Sequence, residues 1–171
     1  MDKDNLVENS VSNLVDALAQ RLITKQWMAA TAESCTGGGI AAALTDLAGS
    51  SAWFDAGFIT YSNAAKQRML GVSPEHFRES GPGAVSEAVV LEMSLGAAER
   101  SGADVSMAVS GVAGPGGGSL EKPVGTVWIA WCVKGRSDAE FFLFGGNRAQ
   151  IRQATIASAL QGLVSRIDAL A

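Results

Sequence analysis

The chain has 171 residues, 47% of them hydrophobic and 18% charged, with a net charge of −4. That length and apolar content predict one domain with a sizeable core and exclude disorder, and the acidic balance argues against non-specific binding to nucleic acid or to an anionic membrane. No apolar run reaches a bilayer-spanning length and no signal-peptide pattern follows Met1-Asp2-Lys3-Asp4, so the expectation is a cytoplasmic protein.

In chain order, Leu6, Val7, Val11, Leu14, Val15, Leu18, Leu22 and Ile23 recur at helical intervals. They predict a helix over about 6–25 with one face on a sheet. Trp27-Met28-Ala29-Ala30 reads as a buried strand and Thr31 to Gly39 as a strand-to-helix turn. Ile40, Leu44 and Leu47 then mark one face of a helix, with Gly49 as its C-cap. Phe54 to Tyr61 is the next strand, and Ser62-Asn63 starts a short helix that Gly71 stops. Pro74 opens a further helical turn, Gly81-Pro82-Gly83 is a loop, and Ser86 caps a helix that runs to about Ser101. Asp104 to Ser110 is a buried strand, followed by a second glycine loop from Gly111 to Ser119. Gly125 to Val133 and Ala139 to Phe144 form a hairpin across Lys134 to Asp138, and a last helix spans about Asn147 to Leu170. This alternation predicts an α/β fold: a three-layer α/β/α sandwich on a mixed, mostly parallel sheet with one late antiparallel hairpin, and no domain boundary within 1–171.

A strand-to-helix turn is where such a sheet places its chemistry. The helix start leaves N–H groups unpaired, and glycines let an anion or a reacting carbonyl approach the backbone. Ser34 in that turn fits two readings: a nucleophile beside its own oxyanion hole, or a helix cap in a phosphate-cradling loop. A nucleophile needs a base. The one histidine, His76, lies in a charged turn, which counts against a Ser-His-Asp triad. Of the five lysines, Lys66 alone stands in the first turn of a helix just after a strand, where the helix dipole disfavours its charge. Tyr61, at the end of that strand, offers a hydroxyl to relay a proton or to meet the oxyanion. The alternative is a solvated lysine and a strand-end aromatic.

Ser119-Leu120-Glu121-Lys122 matches a Ser-x-x-Lys string, but the glycines before it and Pro123 after it deny it the helix that arrangement needs. No P-loop string is present, and no dinucleotide-binding glycine string follows a strand. Cys35 competes with Ser34 as nucleophile or serves as a small buried apolar residue. With Cys132 it shows no metal or redox spacing, so neither a metal nor a cofactor is expected. Glu33 is open to three roles: orienting a lysine, binding substrate, or forming a structural ion pair. The two glycine loops open on one sheet edge and predict a pocket for a polar, phosphorylated small molecule, with Arg148 as a cation for the phosphate.

Several motifs in one order then carry a resemblance. Ala32-Glu33-Ser34-Cys35-Thr36-Gly37-Gly38, Tyr61-Ser62-Asn63-Ala64-Ala65-Lys66, Gly83-Ala84-Val85-Ser86, Ser110-Gly111-Val112-Ala113-Gly114-Pro115-Gly116-Gly117 and Lys122-Pro123-Val124-Gly125-Thr126-Val127 resemble the CinA C-terminal-domain family over roughly residues 10–168. Ser110 stands where that pattern has threonine, and both keep a hydroxyl. The resemblance implies a nicotinamide-nucleotide amidase that hydrolyses nicotinamide mononucleotide to nicotinate mononucleotide and ammonia. It implies Ser34 as nucleophile, Lys66 as base and Tyr61 as a supporting hydroxyl. Glu33, Thr36, Gly37, Gly38 and Asn63 become candidates for the oxyanion or substrate site, and Ser110, Gly111, Gly114, Gly116 and Arg148 for the nucleotide end. A small-molecule nucleotide is then the partner, with no nucleic acid and no membrane. The four tryptophans and the apolar first helix leave room for a homodimer interface. Two alternatives stay open: a non-catalytic nucleotide-binding or competence-associated interaction module, which keeps both glycine loops without needing Ser34 and Lys66 together, and a serine amidase with another substrate.

Overall fold

The computed structural model describes residues 3–170, with side chains from Val11 onward, so Leu6 and Val7 fall outside the described side chains. The elements are α1 (Lys3–Lys25), β1 (Ala29–Glu33), α2 (Gly39–Thr45), β2 (Phe54–Ile59), α3 (Asn63–Leu70), α4 (Glu87–Ser101), β3 (Val105–Gly111), β4 (Thr126–Val133), β5 (Arg136–Leu143) and α5 (Arg148–Asp168). Short 3₁₀ turns cover Ser50–Ala52 and Pro74–Phe77.

One sheet runs in the order β2-β1-β3-β4-β5. β1 pairs parallel with β2 and β3, and β4 is antiparallel to both of its neighbours, so β4 alone opposes the other strands. The mixed, mostly parallel sheet with a late hairpin is as the alternation predicts. Val105, Met107, Val109, Val127, Ile129 and Trp131 form one core with α1, α2 and α5. Ala30, Ala32, Ala108 and Ala130 form the other with α4 and the end of α3. The alanines make that face of the sheet shallow, and α4 lies across it. α3 in turn rests on α4 at Gly96, where a Cβ would come within 2.0 Å of the Leu70 carbonyl oxygen.

The chain leaves β1 through α2 on one face of the sheet and leaves β2 through α3 and α4 on the other. The C-terminal ends of β1 and β3 therefore flank a topological switch point, the crevice where an open α/β sheet holds its ligands.

Three boundaries and one packing contact differ from expectation. β1 begins at Ala29 and runs through Glu33, so three residues assigned to the turn belong to the strand. Hydrogen-bonded on both edges and covered on both faces, β1 buries Thr31 and Glu33 along with its alanines. Gly49 is not the C-cap of α2, which ends at Asp46; its φ of 83° instead opens the turn at Ser50. The β4–β5 connection is two residues, Lys134 (φ 50°) and Gly135 (φ 80°), the positive-φ pair that a tight hairpin with right-handed twist requires. Arg136 to Asp138 are strand, and their polarity reflects an edge: Asp138 and Glu140 both receive hydrogen bonds from Arg166 of α5. Finally, α1 packs on α5 and α2 rather than mainly on the sheet. Of the tryptophans counted toward an interface, Trp53 and Trp131 are core residues, each 1% exposed. Among the described residues no helix is long and apolar enough to cross a membrane.

The contact at Gly96 sets the height of α3 above the sheet. Gly96→Ala should lower the unfolding free energy by about 1–3 kcal/mol, read from urea titration, because backbone rather than a flexible side chain must move.

Candidate active site

β1 delivers Ser34 to the edge of the sheet. Its N–H donates to the Val109 carbonyl at 3.1 Å, so the β1–β3 ladder holds the residue one step past the strand. The chain then turns through Gly37 (φ 60°) and Gly38 (φ 97°), a backbone that L side chains rarely adopt. A Cβ at Gly38 would also lie 2.9 Å from the terminal methyl of Ile59, which would have to shift.

α3 delivers Lys66. Ser62 caps the helix by accepting from the Ala65 N–H at 3.1 Å, and Gly71 ends it in the left-handed conformation. Lys66 is 1% exposed. Its Nζ donates to the Thr60 carbonyl at 2.7 Å and stands 3.0 Å from Ser34 Oγ. Among the described residues it forms no ion pair with a carboxylate. Burial therefore acts almost alone and lowers its pKa from 10.5 to about 8. A neutral amine has a lone pair; with one N–H given to Thr60, that lone pair can accept the Ser34 hydroxyl proton. The arrangement suits a serine nucleophile with a lysine base.

Cys35 is 6% exposed, and burial pushes its thiol up to about 11 despite the nearby cations Lys66 and Arg152. A thiol held protonated is a poor nucleophile, so the geometry favours the serine of the pair.

A cavity of about 230 Å³ opens at the switch point. It is lined by Ser34, Cys35, Tyr61, Lys66, Ala84, Val85, Ser110, Gly111, Ala113 and Arg148. Tyr61 lies just past the end of β2 and stays 65% exposed at the mouth. Arg148 is the first residue of α5, whose start is held by an Asn147–Gln150 capping box. Its guanidinium donates to the Gly114 carbonyl at 2.7 Å and meets the Tyr61 hydroxyl at 3.4 Å, spanning the cavity from the second glycine loop to the β2–α3 connection. Ser110 Oγ donates to the Ala84 carbonyl at 2.8 Å and so ties the loop before α4 to β3.

The cavity thus gathers Ser34, Lys66, Tyr61, Ser110, Gly111 and Arg148, with Gly114 held by Arg148 at its rim. Other candidates lie elsewhere. Glu33 and Thr36 are fully buried, and the Thr36 hydroxyl donates to the Glu33 carboxylate, so neither side chain faces the cavity. The Gly38, Ile40 and Ala41 N–H groups also donate to that carboxylate, which corrects the expectation that the start of α2 serves an oxyanion. The Gly37 and Gly39 N–H groups donate to the carbonyls of Ser34 and Thr36. Among the described residues neither the Cys35 nor the Thr36 N–H donates to a carbonyl or carboxylate, and the Cys35 N–H lies beside its own thiol. Gly37 shapes the turn without lining the cavity. Asn63 is exposed at the start of α3, and Gly116 is exposed with nothing within 4 Å of its Cβ position. His76 lies outside the cavity and bonds to Glu92 at 2.9 Å. Lys122 lies in a loop turn, where its N–H donates to Ser119 Oγ. Among the described residues no group of three His, Cys, Asp or Glu is placed to hold a metal.

Two contributors went unread in the sequence. Thr60 acts through its carbonyl, which no side-chain pattern signals. Arg152 donates to the Thr36 carbonyl at 2.7 Å; its spacing of four from Arg148 on one helix was the available signal.

The CinA C-terminal domain model matches residues 11–167. The chain belongs to that family. It is 51% identical over 155 residues to the nicotinamide-nucleotide amidohydrolase PncC of Enterobacter agglomerans, covering 90% of this chain and 93% of the relative. It is 46% identical over 159 residues to the protein of that name from Escherichia coli K12, covering 92% and 95%. The crystal structure of the competence/damage inducible protein CihA from Agrobacterium tumefaciens superposes with a TM-score of 0.88 at 43% identity, covering 93% of this chain and 96% of that one.

A lysine that holds its proton to about 10.5 when unfolded and to about 8 when folded opposes folding at neutral pH, because the unfolded chain binds the proton more tightly. Lys66→Met should therefore raise the unfolding free energy at pH 7 by about 1–3 kcal/mol. Urea titrations should show the advantage over the wild type shrinking as pH rises from about 8 toward 10.5.

Proposed function

We propose that this chain is a nicotinamide-nucleotide amidohydrolase, converting nicotinamide mononucleotide and water to nicotinate mononucleotide and ammonia through a Ser34–Lys66 pair. The observation that carries the mechanism is the buried Lys66 amine, 3.0 Å from Ser34 Oγ and oriented by the Thr60 carbonyl. The substrate is carried over from the relatives named nicotinamide-nucleotide amidohydrolase.

Neutral Lys66 takes the Ser34 proton as Oγ attacks the carboxamide carbon. The oxyanion meets the N–H groups of Cys35 and Thr36, donors in a water-poor site. Lys66 returns the proton to the leaving nitrogen, and ammonia departs from the acyl-enzyme. Water, with its proton passed to Lys66, releases the carboxylate and restores Ser34. The cavity of about 230 Å³ takes the ring and its carboxamide. The ribose phosphate then lies at the mouth, toward the Gly111–Gly118 loop and Arg148, with the Tyr61 hydroxyl beside it.

Purified protein should release ammonia from nicotinamide mononucleotide, and Ser34→Ala should release none while binding the nucleotide and unfolding normally. Binding without release by the wild type returns the binding-module reading; release from other amides in place of the nucleotide returns the broader amidase. The wild-type kcat/KM should rise about tenfold per pH unit below the lysine's pKa of about 8 and level off above it, since the deprotonated amine is the base.

A further inference from the structure

The Glu33 carboxylate is fully buried and forms no ion pair among the described residues. It accepts hydrogen bonds from Thr36 Oγ1 at 2.6 Å, the Ala41 N–H at 2.8 Å, the Ile40 N–H at 3.0 Å and the Gly38 N–H at 3.1 Å, with Thr31 Oγ1 at 3.4 Å. Three of these partners are backbone N–H groups, which can only donate, so the carboxylate serves the start of α2 as an acceptor. A helix is ordinarily capped by the residue at its own N-cap. The N-cap of α2 is Gly38, in the left-handed conformation and with no side chain to offer. The cap comes instead from the last residue of β1, and the loop it closes is the Ser34–Gly37 turn.

We propose that Glu33 is the positioning residue of the nucleophile turn: it clamps the end of β1 to the start of α2 and, through the Thr36 hydroxyl, aims the Cys35 and Thr36 N–H groups at the oxyanion. The proposal rests on the reading of Ser34 as nucleophile. Thr36 is held at two points, its hydroxyl by Glu33 and its carbonyl by Arg152 at 2.7 Å. Releasing the hydroxyl leaves the residue free to pivot about its carbonyl, and the N–H that follows Cys35 turns with it. Because the carboxylate also engages three N–H groups of the α2 start, no other donor on that turn replaces the pair at Cys35 and Thr36. Glutamine at 33 keeps the length but presents an NH₂ to a ring of donors.

Two readouts test this: steady-state ammonia release from nicotinamide mononucleotide, and the rate of serine labelling by a fluorophosphonate, which needs the nucleophile and its oxyanion donors but not the nucleotide. At a temperature where circular dichroism shows each protein folded, Glu33→Gln and Thr36→Val should lose about 10- to 100-fold in kcat with KM within about threefold, and labelling should slow in parallel. Thr36→Ser, which keeps the donor to Glu33, should recover most of what Thr36→Val loses. A Glu33→Gln protein that melts earlier but keeps kcat and labelling within about twofold overturns the proposal and leaves Glu33 a cap only; so does equal loss in Thr36→Val and Thr36→Ser. If Glu33→Gln does not fold, the Thr36 pair, which removes one hydrogen bond, decides alone. Turnover and labelling that survive in Ser34→Ala overturn the nucleophile reading instead.

Discussion

A lysine amine shut away from water against a serine hydroxyl is the contact on which the rest of this molecule depends. Such an amine is unstable as a cation, because burial removes its hydration and no carboxylate among the described residues replaces it. It stays only because the surrounding structure leaves it nowhere else to go. α3 is two turns long, capped by Ser62 and stopped by Gly71, and it cannot slide, because Gly96 of α4 admits the Leu70 carbonyl where no larger residue would fit. Ser34 is fixed from the other side by its hydrogen bond to β3. Two residues 32 apart in sequence meet because β1 and β2 are parallel neighbours whose following segments emerge on the same edge of the sheet.

The second constraint is electrostatic. A helix start beside a reacting carbonyl looks like a ready oxyanion site, yet here Glu33 occupies it. The field at the start of α2 is therefore compensated inside the protein. Among the described residues the Cys35 and Thr36 N–H groups of the turn itself meet no carbonyl or carboxylate, and Arg148 stands across the cavity, bonded to the second glycine loop.

Much of this was readable before any coordinates. The 3.6-residue spacing of Ile151, Ile156, Leu160, Leu163 and Ile167 marks α5, because a helix on a core must bury one stripe; all five are buried. The helix start at Ser62 and its stop at Gly71 follow from a capping oxygen and a positive φ. Lys66 stood out because a cation in the first turn of a helix opposes the dipole. Three of the departures share one cause. Glu33, Thr36 and Asp138 are polar, and polarity by itself points to a turn or a pocket; what makes them strand or core is a partner far along the chain or across the sheet, which local sequence does not carry. Glu33 is buried because α2 folds back over it, and Asp138 sits in a strand because Arg166 reaches it from α5.

By itself, then, the order of residues determined the elements, their layering, the family and the pair of glycine loops, since periodicity, caps and turns are properties of short stretches. Tertiary structure alone decided which of Ser34 and Cys35 meets the amine, that the Thr60 carbonyl orients it, and that Glu33 faces the helix rather than the cavity. Those are questions of direction and distance between side chains on separate elements, and they are answered only when the sheet sets its strand ends side by side and excludes the water between them.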